Sequence, residues 1–374
     1  MEFGDKIGAA PGKVEYLYSP SKGIAAQISG SSPGIFAMYM VAVSMDGRRL
    51  LDEIPATGIG TTAVYPQPSV VTYIQCDEFG MWGRNCPACQ KYFRTNHIIG
   101  GTCCPYCAAW APGLAFMSKD QRKYITACYD AFARALREKK DATVEVANIT
   151  DRNPAWHYSE LKQQLHFECS HVDCRAQTDI LGDYGYCPRC GRTNARKLFL
   201  ERIEKMLIRW EDVDNTIADR RDRSEVWDDM TKNIVGDFEY LAKHLRKKLL
   251  HFPMTPNRLK RLEELNFQQP LPANESLLQW FDISLLTWPG SGEIPKRIVP
   301  DSDVPFIKKM VQRRHILIHN GGVVDQDYLS FSADTQVVLG ERVRIRSNEA
   351  KRFIEIVRTM AENLMDNVEH GFEE

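Results

Sequence analysis

Long apolar runs and an excess of positive charge are both absent from this sequence. Its most apolar early stretch, residues 34–44, is far shorter than the roughly 18–20 residues that a membrane-spanning helix needs. The 48 lysines and arginines are offset by 49 aspartates and glutamates, which gives a formal net charge of -1. We therefore expect that stretch to form a buried strand, and we expect any nucleic-acid site to be local instead of chain-wide.

A secretory leader and a disulfide framework are not expected either. The first residues, MEFGDKIGAAPGK, contain no basic segment followed by an apolar one. The 11 cysteines are odd in number, and eight of them stand in short paired spacings. This pattern favours cysteines that bind metal in a reducing cytoplasm over disulfides of a secreted protein.

Composition divides the chain into four segments. At 374 residues it exceeds the about 100–200 residues of a typical domain, so several units are expected. Residues 1–75, rich in glycine, proline and serine between short β-type runs, predict a small β-rich N-terminal unit. The other segments are a first zinc-ribbon module with its following helix at 76–142, a second zinc ribbon at 143–195, and a helical domain at 196–374.

The last segment predicts an all-α bundle with a small β-hairpin. Its aliphatic and aromatic residues recur every three or four positions, as on the buried face of a helix. Gly321 and Gly322 provide an end for the helix before them. Helices are expected at 195–210, 224–250, 256–267, 274–288, 303–320 and 348–372, and the hairpin is expected at 335–346.

Two groups of cysteines have the spacing of zinc ribbons. Each group contains two cysteine pairs, and the members of a pair are separated by two or four residues. A CPxC turn can place two thiolates on one ion, and four thiolates satisfy tetrahedral Zn²⁺. We therefore predict two zinc ions per chain, bound by Cys86, Cys89, Cys104, Cys107, Cys169, Cys174, Cys187 and Cys190.

Two other residues compete for ligand positions in these groups. Cys103 is adjacent to Cys104, and His171 lies between Cys169 and Cys174. The CxxC spacing favours Cys104, and a site built from two cysteine pairs favours Cys174. All-cysteine sites are coordinatively closed, whereas a catalytic zinc keeps an open position, so both ions are expected to be structural. Metal binding would then supply much of the folding free energy of these segments.

The cysteine segments also carry residues that suit contact with a nucleic-acid backbone. Basic side chains bind phosphates, and aromatic side chains stack on bases. A solvated charged face is an equally good interpretation of the same pattern. The residues concerned are Lys91, Tyr92, Phe93, Arg94, Arg175, Arg189, Arg192 and Arg196.

The segment RRHILIHNGG, residues 313–322, permits three interpretations. It can be a helix C-terminus, where cationic residues offset the helix dipole. It can bind metal through His315 and His319, although Ile316 and Leu317 stand where a zinc protease has its glutamate. It can also cleave RNA, because an arginine binds phosphate and an imidazole transfers protons near neutral pH, while RNA supplies its own 2'-hydroxyl nucleophile.

A family resemblance favours the third interpretation. Residues 196–374 resemble the HEPN family of helical domains, and RRHILIHNGGVVDQDYL resembles the version found in ApeA-like anti-phage proteins of bacteria. The ribonuclease motif of that family is an arginine, four to six further residues and a histidine, with a polar residue after the arginine. Arg314, His315 and His319 follow that order. Arg313 also fits the spacing, so the motif leaves open which arginine is catalytic.

The resemblance implies a helical bundle and a homodimer with a composite cleft. It implies metal-independent cleavage of RNA to a 2',3'-cyclic phosphate and a 5'-hydroxyl, with Arg314, His315 and His319 as catalytic residues. Arg313 and Asn320 would then contact the substrate. An anti-phage effector whose N-terminal half senses a phage or host trigger, or positions RNA, is the expected role. The alternative is a non-catalytic module in which the ribbons bind nucleic acid or protein and the bundle only dimerises.

Overall fold

The computed structural model describes residues 6–7, 12–29, 38–44, 50–56, 69–75, 81–97, 100–117, 119–145, 156–157, 165–171, 173–217 and 219–370. The chain divides into two compact units, Met1–Asn194 and Ala195–Glu374. The first contains β-sheets and both cysteine groups, and the second is mostly helical. The predicted order of a β-rich part followed by helices is confirmed. Among the described residues, no helix combines the length and the apolar character that crossing a membrane requires.

The first unit contains short antiparallel sheets and one long helix. Its elements are β1 Lys6–Ile7, β2 Lys13–Ser19, β3 Gly23–Ser29, β4 Met38–Ser44, β5 Leu50–Ala56, β6 Ser69–Gln75, β7 Trp82–Asn85, β8 Tyr92–Thr95, β9 Gly101–Cys103, β10 Trp110–Pro112, α1 Lys119–Glu138, β11 Ala142–Glu145, β12 Trp156–His157, β13 Leu165–Glu168 and β14 Gln177–Ile180. The sheets have the strand orders β1-β12, β11-β2-β3, β5-β4-β6, β13-β14-β8-β7 and β10-β9.

The buried cluster beside α1 combines the period-two pattern of a strand with the period of nearly four residues of a helix. Alternate residues of β2, Val14 and Tyr16, are buried, and so are Tyr124 and Cys128, which are four apart on α1. The ring of Tyr16 meets that of Phe132 edge to face, with 5.5 Å between the centroids. A strand with period two and a helix with period near four thus pack on each other in the same cluster.

The two cysteine segments share one sheet and one buried cluster, whereas the sequence predicted two separate modules that meet at residues 142 and 143. Strand β8 of the first segment pairs with β14 of the second, and Thr95 lies opposite Thr178. Phe93, Phe167 and Ile180 from both segments are buried in one cluster. A two-stranded ribbon leaves the backbone groups of its edge unpaired and has little core of its own, so pairing two ribbons edge to edge satisfies both needs.

The second unit is mostly helical. Its elements are α2 Ala195–Thr216, α3 Arg220–Leu249, α4 Pro256–Glu264, α5 Pro270–Phe281, β15 Thr287–Trp288, β16 Arg297–Ile298, α6 Val304–His319, α7 Gln326–Ser332 and α8 Ser347–His370. Helix α3 packs against α2, α6 and α8. The side chain of Asp219 caps α3 by accepting hydrogen bonds from the backbone amides of Arg221 and Asp222.

Two predictions for the second unit are wrong. The segment 335–346 is not a hairpin, because it is mainly irregular, with turns at 335–336 and 339–340 and a single β-bridge between Arg342 and Val323. The small antiparallel pair is β15 with β16 instead. The helix expected at 274–288 ends at Phe281, where Asp282 adopts the left-handed conformation. Asn274 accepts a hydrogen bond of 2.7 Å from the backbone amide of Leu285, which holds the chain out of the helix.

Candidate functional sites

Each cysteine group converges on a space that fits one metal ion. In each group the four sulfur atoms all lie within 4.8 Å of one another. Zinc–sulfur bonds of about 2.3 Å in a tetrahedron place neighbouring sulfurs about 3.8 Å apart. The sulfur pairs that approach most closely are Cys86–Cys107 and Cys89–Cys104, both at 3.7 Å, Cys169–Cys190 at 3.6 Å, and Cys174–Cys187 at 3.5 Å. The donors, their number and their spacing fit Zn²⁺.

All four cysteine turns use the same backbone reversal. The residue after the second cysteine has a positive φ in every turn: 60° at Gln90, 63° at Ala108, 45° at Arg175 and 70° at Gly191. In the three CxxC turns its amide donates to the carbonyl of the first cysteine over 2.8 to 2.9 Å. In the longer turn the acceptor is the carbonyl of His171. The turn therefore closes two residues later than in the CxxC turns, and both sulfurs still belong to the converging group.

Hydrogen bonds around the sulfurs lower the pKa of one cysteine in each group. The amide of Cys89 donates to the sulfur of Cys86, and the amide of Tyr106 donates to the sulfur of Cys104, each over 3.4 Å. Hydrogen bonds from Cys104 and Cys107 lower the pKa of Cys86. Neighbouring thiols, Cys187 first among them, likewise lower the pKa of Cys190. Hydrogen bonds with Cys107 and with Cys190 raise the pKa of Cys104 and of Cys187, so each group combines a cysteine of lowered pKa with one of raised pKa.

The structure separates the ligand positions from their competitors. Cys103 is buried with Ala108 and Tyr186, and its thiol points to the carbonyl of Cys104 over 3.8 Å. It is not among the converging sulfurs, whereas Cys104 is. His171 serves through its backbone carbonyl, and its ring is not part of the group. The eight cysteines that the sequence indicated are the ones brought together.

The residues expected to contact nucleic acid are not all available at the surface. Phe93 and Arg94 are buried, and Arg94 forms an ion pair with Asp179. Arg196 belongs to the second unit and pairs with the buried Asp366. These residues therefore stabilise the fold. Lys91, Arg175, Arg189 and Arg192 are exposed.

Helix α6 places its two adjacent arginines in different surroundings. Buried residues recur every three positions along it, at Ile307, Met310, Arg313 and Ile316, so Arg313 faces inward. Its guanidinium donates to Glu349 over 2.9 Å, to Asp334 over 2.8 Å and to the Tyr328 hydroxyl over 3.3 Å. The substrate contact expected of Arg313 is thus corrected, because all three of its nitrogens already bond to protein.

Arg314 lies one position further around the helix and is half-buried. It donates to the side-chain carbonyl of Gln268 over 3.4 Å, and within the described part of the chain it forms no ion pair. Burial lowers its pKa, and the charge of Glu239 opposes that shift only in part. An arginine nevertheless stays protonated in proteins, so Arg314 is a fixed cation free to bind an anion.

His315 and His319 are both exposed, and they lie on the same side of α6 near its C-terminal end. Their ring centroids are 4.7 Å apart, with an angle of 49° between the planes. Helix α6 ends at His319, and Asn320 donates its side-chain amide to the carbonyl of Val323 over 2.8 Å. Asn320 therefore shapes the turn after the helix. Among the described residues, no carboxylate or third histidine completes a metal group with the two rings.

Two residues near these sites carried no signal in the sequence. Gln268 meets Arg314 from 46 positions away along the chain, and no local pattern predicts such a contact. Trp110 is 54% exposed beside the cysteine turns, whereas its apolar ring would ordinarily suggest burial. No protein-family model, curated protein or solved structure matches the chain. Functional inference therefore depends on the residues and their geometry.

Proposed function

We propose that this protein is a metal-independent endoribonuclease of the HEPN type, with structural Zn²⁺ in both cysteine groups of its first unit. The observation that carries the proposal is the end of α6. His315 and His319 are exposed there and Arg314 is half-buried, while two carboxylates hold the adjacent Arg313 inside. The resemblance of this segment to the HEPN motif and the accessibility of its three residues support the same conclusion.

The three residues match the needs of RNA cleavage. Arg314 binds a phosphate and offsets the negative charge that develops on it. One imidazole removes the proton of the 2'-hydroxyl, and the 2'-oxygen then attacks the adjacent phosphorus. The bond to the 5'-oxygen breaks, and a second imidazole donates a proton to that leaving oxygen. The products are a 2',3'-cyclic phosphate and a 5'-hydroxyl. No metal and no covalent enzyme intermediate are needed.

A homodimer completes this site in the proposal. Each chain supplies a single surface arginine at the end of α6, so a second copy across a two-fold axis would double the cationic groups. Apolar side chains nearby in the chain are unusually exposed: Ile318 is 44%, Phe331 65%, Val338 68% and Leu339 61% exposed. They lie on α6, on α7 and in the loop after α7. Exposed apolar residues of this size favour a protein interface.

The zinc ribbons would give the enzyme its sensing or RNA-positioning part, and an anti-phage effector is the role that the resemblance implies. The second candidate is a non-catalytic binding module that dimerises through its helices. The exposed apolar residues of the second unit favour dimerisation in both candidates. Two exposed histidines on the same helix as an arginine that forms no ion pair with a described residue favour the enzyme.

The decisive experiment compares two exposed histidines of the second unit. His319→Ala should lower the rate of RNA cleavage by about 100-fold or more, because it removes a proton-transfer group. His251→Ala, which removes an exposed imidazole outside the site, should leave the rate unchanged. Cleavage is measured on total RNA in metal-depleted buffer, and the ends of the products are identified by mass spectrometry. Equal rates for the two variants would favour the binding module.

The dimer has a separate test. Phe331→Asp should weaken association and cleavage together, because a carboxylate would replace the most exposed ring in the expected interface. Raising the protein concentration should recover part of the activity by mass action. Leu278→Asp, at a residue on α5 that is 51% exposed, is the matched control and should change neither quantity. Light scattering reports the mass. Full activity from a monomeric Phe331→Asp chain would contradict a composite site.

A further inference from the structure

Trp110 is the exposed aromatic residue of the cysteine turns. It begins β10, directly after the turn that contains Cys104 and Cys107, and it pairs with Cys103 across the sheet. More than half of its surface is in contact with solvent, at 54% exposure. Tryptophan is highly buried on average, so an exposed indole beside the two cysteine groups is a candidate for ligand contact.

Two glycines hold the indole in place. A Cβ added to Gly191 would lie 2.8 Å from Cζ2 of Trp110, and one added to Gly101 would lie 3.5 Å from Cε3. The ring thus rests on the backbone of the turn that contains Cys187 and Cys190, where a Cβ on Gly191 would displace it, and it lies at ordinary contact distance over Gly101. A ring fixed on one side and open on the other loses little conformational entropy when something stacks on it.

Two exposed arginines are close in sequence to Gly191, the glycine that the ring contacts. Arg189 and Arg192 flank the contact at Gly191 and are exposed, and neither forms an ion pair with a residue that the structure describes. Arg189 donates to the carbonyl of Cys174 over 2.9 Å, which anchors it. His97 meets the carbonyl of Gly101 over 3.1 Å. Burial first, then the charges of Arg84 and Arg189, lower the pKa of His97.

We propose that Trp110 is a stacking platform for an unpaired base of single-stranded RNA, with Arg189 and Arg192 contacting the neighbouring phosphates. Every base has a π-face that can stack on an indole, and unpaired cations supply the attraction for the backbone. A protein partner would instead require a broad apolar surface, whereas the nearest exposed residues before and after Gly191 in the chain are the arginines Arg189 and Arg192. The site lies in the first unit, so it gives the ribbons a role without depending on RNA cleavage.

Binding is measured on full-length protein that carries His319→Ala, so the RNA stays intact whether or not the chain is a nuclease. The probe is a fluorescein-labelled single-stranded oligoadenylate, followed by fluorescence anisotropy. Trp110→Ala should weaken binding by about 10-fold, and Trp110→Phe should weaken it less because a ring remains. Leu136→Ala, which truncates a 48% exposed apolar residue on α1, should bind like the parent. Zinc content is determined for each variant to show that the turns remain folded.

Salt dependence separates stacking from charge. Arg192→Gln should reduce the slope of log affinity against log salt by about 1, whereas Trp110→Ala should leave the slope unchanged. Parent-like binding by Trp110→Ala would overturn the platform. Competition by duplex RNA as strong as that by the single strand would overturn it too, since paired bases cannot stack on the ring. Failure of the parent to bind RNA would have the same consequence, whatever the cleavage assay shows.

Discussion

Cys104→Ser should lower the zinc content from two ions per chain to one and unfold its own cysteine turn. The substitution removes one of four converging sulfurs and the acceptor of the Tyr106 amide. Structural zinc contributes apparent binding free energies of about 10–16 kcal/mol in small zinc domains, so losing a thiolate removes much of what keeps the turn folded. Elemental analysis measures the zinc, and proteolysis within residues 86–112 reports the loss of structure.

Cys103→Ser is the matched control for this prediction. Cys103 precedes Cys104 directly, and both side chains are fully buried. Its sulfur lies outside the metal group, so this variant should retain both ions and lose only a small packing contribution. A chain that loses zinc through Cys103→Ser and keeps it through Cys104→Ser would overturn the ligand assignment. Equal loss in both variants would mean that the turn is too fragile to assign either residue.

The two cysteine groups could be predicted from the sequence, because the spacing of the cysteines fixes the backbone of each turn. A CxxC turn closes on itself through one amide and one carbonyl, as at Gly191 and Cys187, whatever the rest of the chain does. The pairing of β8 with β14 was not predictable in that way. It joins segments more than 80 positions apart, Thr95 and Thr178, and each edge could have paired with another strand.

The incorrect hairpin shows where pattern fails. Residues 335–346 alternate as a strand would, and Val343 and Ile345 are indeed buried. However, the amide of Ile345 donates to the side chain of Asp228 over 3.0 Å, and that of Val343 donates to the carbonyl of Gly322 over 2.8 Å. Tertiary acceptors therefore satisfy backbone groups that a hairpin would have paired. Periodicity indicates which side chains are buried, but not what receives the hydrogen bonds.

The choice between Arg313 and Arg314 depended on residues far away in the chain. The two carboxylates that bind Arg313, Asp334 and Glu349, are 21 and 36 positions after it in the chain. One local signal did exist, because Arg313 continues the apolar spacing of Ile307 and Met310. A charged residue on that face needs buried partners, and no spacing rule identifies them. The sequence could therefore supply both candidates and the face of each, without deciding their roles.

Arg313→Met and Arg314→Met should separate stability from cleavage. Removing the Arg313 guanidinium leaves Asp334, with a side chain only 3% exposed, without its cation. Breaking one partner of a buried ion pair costs about 3–5 kcal/mol, so the free energy of unfolding should fall by about that amount. Arg314 has no such partner among the described residues, and its replacement should change stability by less than about 1 kcal/mol while cleavage is lost. Denaturant unfolding and the RNA assay measure the two effects.

The pH dependence of the stability difference tests its cause. Burial disfavours ionised Asp334, but hydrogen bonds from Arg313 and Tyr328 outweigh it and lower the pKa. Burial likewise disfavours the ionised form of Glu349, but the hydrogen bond from Lys309 and the charge of Arg313 outweigh it and lower the pKa of Glu349. A depressed folded-state pKa stabilises the protein above the unfolded value of about 4, and this contribution is lost as the pH falls through the folded value. Acidification should therefore destabilise the unmodified chain through these groups.

In the Arg313→Met variant the pKa shift of Asp334 should change sign. Burial raises that pKa, and without Arg313 mainly the hydrogen bond from the Tyr328 hydroxyl lowers it. Its folded-state pKa should rise, so Arg313→Met should lose less stability on acidification, and the gap between the two proteins should narrow from pH 7 to about pH 4. Arg314→Met, which leaves both carboxylates paired, should follow the unmodified chain over the same range. A gap that stays constant with pH would show that lost packing around Arg313, and not its ion pairs, accounts for the destabilisation.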